Sequence, residues 1–124
     1  MIDISERGYK FNVDIPGGKG DGIGKMKVFC FDMMLVHLVR TAGREIDFLI
    51  HDSMIYDGVD SRQRALALER VAAVPKESPF QYICTLNSDM VPYSDFSEKF
   101  DFEKYVRHRL TDKEPSGSLL GIRF

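Results

Sequence analysis

The sequence predicts a mixed α/β domain with a partly parallel sheet, and three observations carry that expectation. Two short apolar runs, residues 46–52 (IDFLIHD) and 80–86 (FQYICTL), have the length and composition of buried strands. Between them lies a stretch with a helical apolar stripe, and a strand–helix–strand order with a connection of this length calls for a parallel pair joined by a right-handed crossover. A third run, residues 9–15, alternates strictly: Tyr9, Phe11, Val13 and Ile15 share one face, and Lys10, Asn12 and Asp14 the other. Such alternation marks a half-buried strand.

The remaining elements follow from local chemistry. Pro16-Gly17-Gly18 ends the first strand, and residues 19–25 (KGDGIGK) are too glycine-rich for regular structure, so a flexible loop is expected there. Residues 26–40 are apolar on nearly every face, which predicts a buried helix closed near Gly43 by a left-handed residue. After the 46–52 strand come an acidic loop and then Asp60 and Gln63, three apart as in a capping box. Leu68, Val71 and Ala72 give the helix that follows its inward stripe, and Pro75 is expected to stop it. Beyond the 80–86 strand, residues 88–104 read as mostly loop with a short helix near 96–100, and residues 105–110 and 119–124 as a closing β-hairpin turned through Glu114-Pro115-Ser116-Gly117. A parallel pair sends Asp52 and the polar group Asn87-Ser88-Asp89 out of the same edge of the sheet.

Composition narrows the function classes. At 124 residues and 44% hydrophobic content the chain suits one domain with its own core. A formal net charge of −2 gives no general attraction to nucleic acid, so any such contact would come from a local patch or another chain. Cys30 and Cys84 sit in apolar runs without paired or zinc-like spacing, and are expected as buried thiols of a reducing compartment. No basic-then-apolar leader opens the chain. Its longest apolar stretch, residues 28–39, is too short for a bilayer and contains Asp32 and His37, so no membrane partner and a cytoplasmic location are expected.

Candidate chemistry gathers at the strand ends. In open α/β sheets ligands bind outside the carboxyl ends of the strands, where an Asp such as Asp52 can hold hydrated Mg²⁺ against a phosphate. The same residue could instead cap a loop. Gly20, Gly22 and Gly24 allow close approach of backbone to an anion, with Lys25 and Lys27 adding positive charge, or serve only the backbone angles of a turn. This is not a Walker A loop, because Lys19 and Met26 stand where that motif needs Gly and Ser or Thr. His37 reads as a core or interface histidine, and His51 as one exposed to the crevice at a strand end. Asp52, Asp57 and Asp60, with His51, could suggest metal-dependent phosphodiester cleavage, although no glutamate on an earlier strand accompanies them and Asp60 already caps a helix.

Taken in order, GKGDGIGKMKVFCFDMMLVHL, DFLIHDSMIYDGVD and FQYICTLNSD resemble the second half of an ABC-type ATPase head of the SMC and RecN kind. With the closing LLGIRF, the chain is more closely similar to the C-terminal domain of an uncharacterised family of bacterial coiled-coil ATPases, a domain of unknown function. The resemblance implies half of a P-loop ATPase head. Residues 20–25 would stand where such heads carry the loop that touches the γ-phosphate held by the opposite head. Asp52 would be the Walker B aspartate supporting Mg²⁺, Gly58-Val59-Asp60 the D-loop, and Asn87 the switch position after the next strand.

Departures from that pattern shape what it implies. Ser53 stands where a glutamate usually orients the attacking water, Asn87 replaces a histidine, and Asp60 falls one residue late. The chain has no Walker A half and no heptad run. ATP and Mg²⁺ are therefore expected only with a P-loop-bearing N-terminal ATPase segment as partner, with a homodimer and nucleic acid reached through the full assembly as further expected associations. Two other readings stand beside this one: a non-catalytic dimerisation or interaction domain that keeps the fold, and the metal-dependent nuclease.

Overall fold

In the computed structural model, the structure describes residues 2–11, 20–77 and 80–119. Strands β1 (Ile2–Ser5) and β2 (Gly8–Phe11) form an antiparallel hairpin, with Ile2 opposite Phe11 and Ser5 opposite Gly8. Helix α1 (Asp21–Thr41) leads to strand β3 (Phe48–His51), which passes through a 3₁₀ turn, Ser53–Ile55, into helix α2 (Ser61–Glu77). Strand β4 (Gln81–Cys84) then pairs with β3 in parallel, in the register Phe48 to Gln81 and His51 to Cys84. Ladder bonds from Gln81 N–H to the Asp47 carbonyl (2.8 Å) and from Thr85 N–H to the His51 carbonyl (3.2 Å) extend the pairing at both ends. Among the described residues this is thus a small mixed α/β structure with two helices and a two-stranded parallel sheet.

Local sequence explains the helix ends. Asp21 in the first turn of α1 and Arg40 in the last complement the helix dipole. Gly43, at φ 75°, reverses the chain, its N–H reaching the Arg40 carbonyl at 2.9 Å. The Arg40 guanidinium then donates to the Ile46 carbonyl at 2.7 Å and fixes the approach to β3. At α2 the Asp60 carboxylate accepts from the Arg62 N–H at 3.1 Å, the capping role its position predicts.

Packing is one-sided. Leu49, His51, Tyr82 and Cys84 turn toward a core to which α1 contributes Phe29 and α2 contributes Ala67, Leu68 and Val71. The Phe29 ring lies 5.6 Å from His51, 6.2 Å from Tyr56 and 6.5 Å from Tyr82. Burial of aromatic rings of this size is the largest hydrophobic term such a small core has. Past β4, Tyr93, Phe96, Phe100, Phe102 and Tyr105 make a second cluster, with Phe96 stacked on Phe102 at 5.4 Å and Phe100 on Tyr105 at 5.3 Å.

Several expectations give way. Residues 21–25 are the first turns of α1, not a loop, because helix geometry lets Gly22 seat its backbone against Gly58. The apolar run of α1 is not buried all round: Phe29 and Val36 face the core, whereas Val28, Met34, Leu35, Leu38, His37 and Cys30 are exposed. Helix α2 continues through Pro75 to Glu77, since a proline in the last turn removes a single backbone bond and leaves no later turn to disrupt.

No helix forms at 96–100. Glu69 instead accepts from the Ser97 N–H at 2.7 Å and the Ser97 hydroxyl at 3.2 Å, and the Ser61 hydroxyl bonds the Asp95 carboxylate, so tertiary anchors set the backbone. Residues 106–110 are not a strand; a 3₁₀ turn (Phe102–Tyr105) precedes them and the Thr111 N–H closes on the Gly117 carbonyl at 2.8 Å. The other arm of the expected hairpin, from residue 120 onward, and residues 12–15 of the first strand lie outside the described residues. Among those described, no helix is long and apolar enough to cross a membrane.

Candidate functional site

The carboxyl ends of β3 and β4 organise the site. Because His51 pairs with Cys84, the chain beyond each strand emerges at a common edge: Asp52 and Ser53 on one side, Thr85 and Asn87 on the other. Thr85 joins them. Its hydroxyl accepts from the Ser53 N–H at 3.0 Å and donates to the Asp52 carboxylate at 3.4 Å, while the Ser53 hydroxyl donates to the same carboxylate at 3.1 Å. Asp52 remains exposed, oriented by two neutral hydroxyls and, among the described residues, paired with no cation. Asn87 is exposed in extended backbone, its amide reaching the Met90 sulfur at 3.8 Å.

A second grouping forms where α1 begins. Its N-terminus abuts the turn after the 3₁₀ segment, where Gly58 adopts φ 69°. Gly22 lies so close that a Cβ there would overlap the Gly58 carbonyl oxygen and come within 3.0 Å of the Gly58 carbonyl carbon and of Val59 Cα. Lys25 clasps the same turn, its ammonium 2.8 Å from the Asp57 carbonyl and 3.4 Å from the Asp57 carboxylate. Gly20, at φ 155°, and Gly24 are exposed and face open space. Of the three glycines and two lysines expected around an anion, Gly22 and Lys25 are therefore engaged with the 57–58 turn.

The acids do not converge. Asp52 bonds hydroxyls, Asp57 bonds Lys25, and Asp60 caps α2 while its carboxylate meets the Arg62 guanidinium at 3.2 Å. That hydrogen bond from Arg62, with the backbone N–H groups of Arg62 and Gln63, holds the Asp60 carboxyl below the usual carboxylate range. Among the described residues no three His, Cys, Asp or Glu side chains group as a metal site. His51, the fourth member of the nuclease reading, points the other way.

His51 is buried rather than exposed to a crevice. Its Nε2 lies 3.1 Å from the Asp32 carboxylate on α1, and its Nδ1 2.9 Å from the Tyr82 hydroxyl on β4, which is 2.6 Å from the hydroxyl of Tyr56. One arrangement satisfies every donor: Tyr56 donates to Tyr82, Tyr82 to Nδ1, and the Nε2–H to Asp32. Desolvation pushes both tyrosine hydroxyls well above their ordinary range, so both stay neutral donors. These hydrogen bonds tie α1, β3, β4 and the cap of the 3₁₀ segment together. The sequence signal for it was Asp32, a single acid in an apolar helical run, which needs a partner once that face packs.

Both cysteines are free thiols. Cys84 is half-buried and desolvation pushes its thiol up to about 11, whereas Cys30 faces outward from α1, contrary to the expectation that both are buried.

No curated protein and no solved structure matches the chain. A family model does match, across residues 1–124, and its description is an uncharacterised protein conserved in bacteria. The chain belongs to that family, DUF2326.

Proposed function

We propose that this chain is the C-terminal half of an ATPase head of the SMC and RecN kind, acting only when a P-loop-bearing segment supplies the other half. The observation that carries the reading is the parallel register of β3 and β4, which leaves an exposed carboxylate, Asp52, and an exposed amide, Asn87, at one strand-end edge. In this reading Asp52 supports Mg²⁺ on a bound ATP, oriented by Thr85 and Ser53. The start of α1, with Gly20, Gly22, Gly24 and Lys25, faces a triphosphate bound by a second head, and Asp60 closes the D-loop-like turn on which α1 rests. Lys25 would leave Asp57 for phosphate oxygens, exchanging one charge-assisted bond for another. Ser53 has no carboxylate to orient an attacking water, so chemistry would depend on a group from the partner. In the protein joined to its P-loop segment, Asp52→Ala is expected to abolish Mg²⁺-dependent turnover; unchanged turnover would reject the role assigned to Asp52.

A second reading, a non-catalytic dimerisation or interaction domain, is favoured by one feature. Val28, Leu35 and Leu38, with half-buried Phe31, repeat at heptad spacing on the outer side of α1, and Val28 and Leu38 are 50% and 52% exposed. Light scattering with and without ATP and Mg²⁺ separates the two readings. Association that ignores nucleotide supports the second.

A further inference from the structure

We infer that Thr85 and Ser53 set the metal preference of the strand-end site, by holding one oxygen of Asp52 and leaving the other as its single ligand atom. This rests on the ATPase-half reading and goes beyond it in naming the residues that choose the cation. Both hydroxyls turn to the same atom: Ser53 Oγ donates to Asp52 Oδ1 at 3.1 Å, and Thr85 Oγ1 to that Oδ1 at 3.4 Å. Among the described residues Oδ2 accepts no hydrogen bond, and Asp52 is exposed. The hydroxyls are themselves fixed. Thr85 N–H closes the ladder on the His51 carbonyl at 3.2 Å, and Thr85 Oγ1 accepts from the Ser53 N–H at 3.0 Å, which leaves its one proton for Asp52. Asp52, Ser53 and Thr85 thus close a loop of hydrogen bonds across the ends of β3 and β4, and turning Oδ1 toward a metal would break two of them.

This donor set fits a small hydrated cation. Mg²⁺ keeps several of its waters and takes one or two carboxylates together with substrate phosphates, whereas Ca²⁺ collects about six to eight oxygens and often takes a carboxylate through both of its own. Asp52 offers one free oxygen to either ion. Asp57 and Asp60 add none, since Lys25 and Arg62 engage them. Ca²⁺ would reach a second carboxylate oxygen only by displacing both hydroxyls from Oδ1, so the loop of hydrogen bonds favours the cation that asks for one. The heads that the sequence resembles usually carry a glutamate where Ser53 stands, and a glutamate has no proton to give Oδ1 when ionised. The arrangement is therefore a property of this chain's own residues.

The test reads binding, not turnover. Calorimetric titration of the non-hydrolysable analogue AMP-PNP into the protein joined to its P-loop segment, once with saturating Mg²⁺ and once with saturating Ca²⁺, gives the ratio of the two dissociation constants. Replacing both hydroxyls, Thr85→Val with Ser53→Ala, frees Oδ1 and should move that ratio several-fold toward Ca²⁺. Thr85→Ser keeps the hydroxyl and should leave the ratio as it is in the native chain. A general loss of folded protein weakens binding with both metals alike and does not move the ratio. Should the double variant misfold by circular dichroism, Ser53→Ala alone is expected to shift the ratio in the same direction by a smaller factor. A ratio unchanged by loss of the hydroxyls, or moved as far by Thr85→Ser as by the double variant, would overturn the inference. Asp52→Ala separates this from the reading on which it rests. If Asp52→Ala removes the difference between the metals and the hydroxyl variants do not alter it, the ATPase-half reading stands and only the role of Thr85 and Ser53 is lost; if Asp52→Ala leaves both constants unchanged, the reading itself falls with it.

Discussion

Gly22 of α1 rests against the carbonyl of Gly58, leaving no room between them for a side chain. Gly24, two residues on, faces nothing within 4 Å. The pair predicts opposite outcomes for the same substitution. Gly22→Ala forces α1 off the 57–58 turn and costs about 1–3 kcal/mol by overpacking. Gly24→Ala lies in an open helical position and gains about 0.5–1 kcal/mol. Urea unfolding of both variants checks this, and a neutral Gly22→Ala would mean that the contact is not close.

The buried chain Asp32–His51–Tyr82–Tyr56 predicts an asymmetry. Tyr82→Phe leaves the Tyr56 hydroxyl and His51 Nδ1 both without a partner, at about 1–3 kcal/mol for each orphaned group. Tyr56→Phe removes one hydroxyl while Tyr82 still donates to His51, at about 1 kcal/mol. Chemical denaturation should rank Tyr82→Phe as clearly the more damaging; equal costs would contradict the directional chain.

Acid should weaken the fold through two carboxylates. Asp60 is held low by Arg62, and Glu103 by the Tyr93 hydroxyl and then the Arg109 guanidinium. A carboxyl with a depressed folded pKa contributes fully above its unfolded value, near 4, and loses that contribution as pH falls through the lower folded value. The melting temperature should therefore drop with acidification below about pH 4, and Asp60→Asn should flatten part of that slope. An unchanged slope in the variant would show that Asp60 is not stabilised in the folded state.

The two thiols should separate by rate. With its pKa raised to about 11, Cys84 is thiolate in about one part in a thousand at pH 8, and it is half-buried as well. Exposed Cys30 is expected to react first with a disulfide reagent, and Cys84 mainly after unfolding. Equal rates in the native protein would contradict the packing of Cys84 against the core.

Sequence and structure agree where local and tertiary preferences point the same way. The β3–β4 pair, the Gly43 helix end, the Asp60 cap and the emergence of Asp52 and Asn87 at one edge were legible from periodicity and turn chemistry. The glycine run at 20–25 was not, because glycine composition signals a loop, whereas the close approach to Gly58 that makes Gly22 useful inside a helix is a long-range contact. His51 was legible as a strand-end residue but not as a buried one, since that depends on Asp32 and Tyr82 arriving from other elements. The 96–100 turn likewise depends on Glu69, distant in sequence.

Calorimetric titration of ATP and Mg²⁺ tests the central claim most directly, that this chain contributes Asp52 to a nucleotide held by another segment. No binding heat is expected from the isolated chain. Binding should appear when the chain is joined to its P-loop segment, and Asp52→Ala should remove the part that requires Mg²⁺. Micromolar binding by the chain alone, or Mg²⁺-dependent binding untouched by Asp52→Ala, would contradict it.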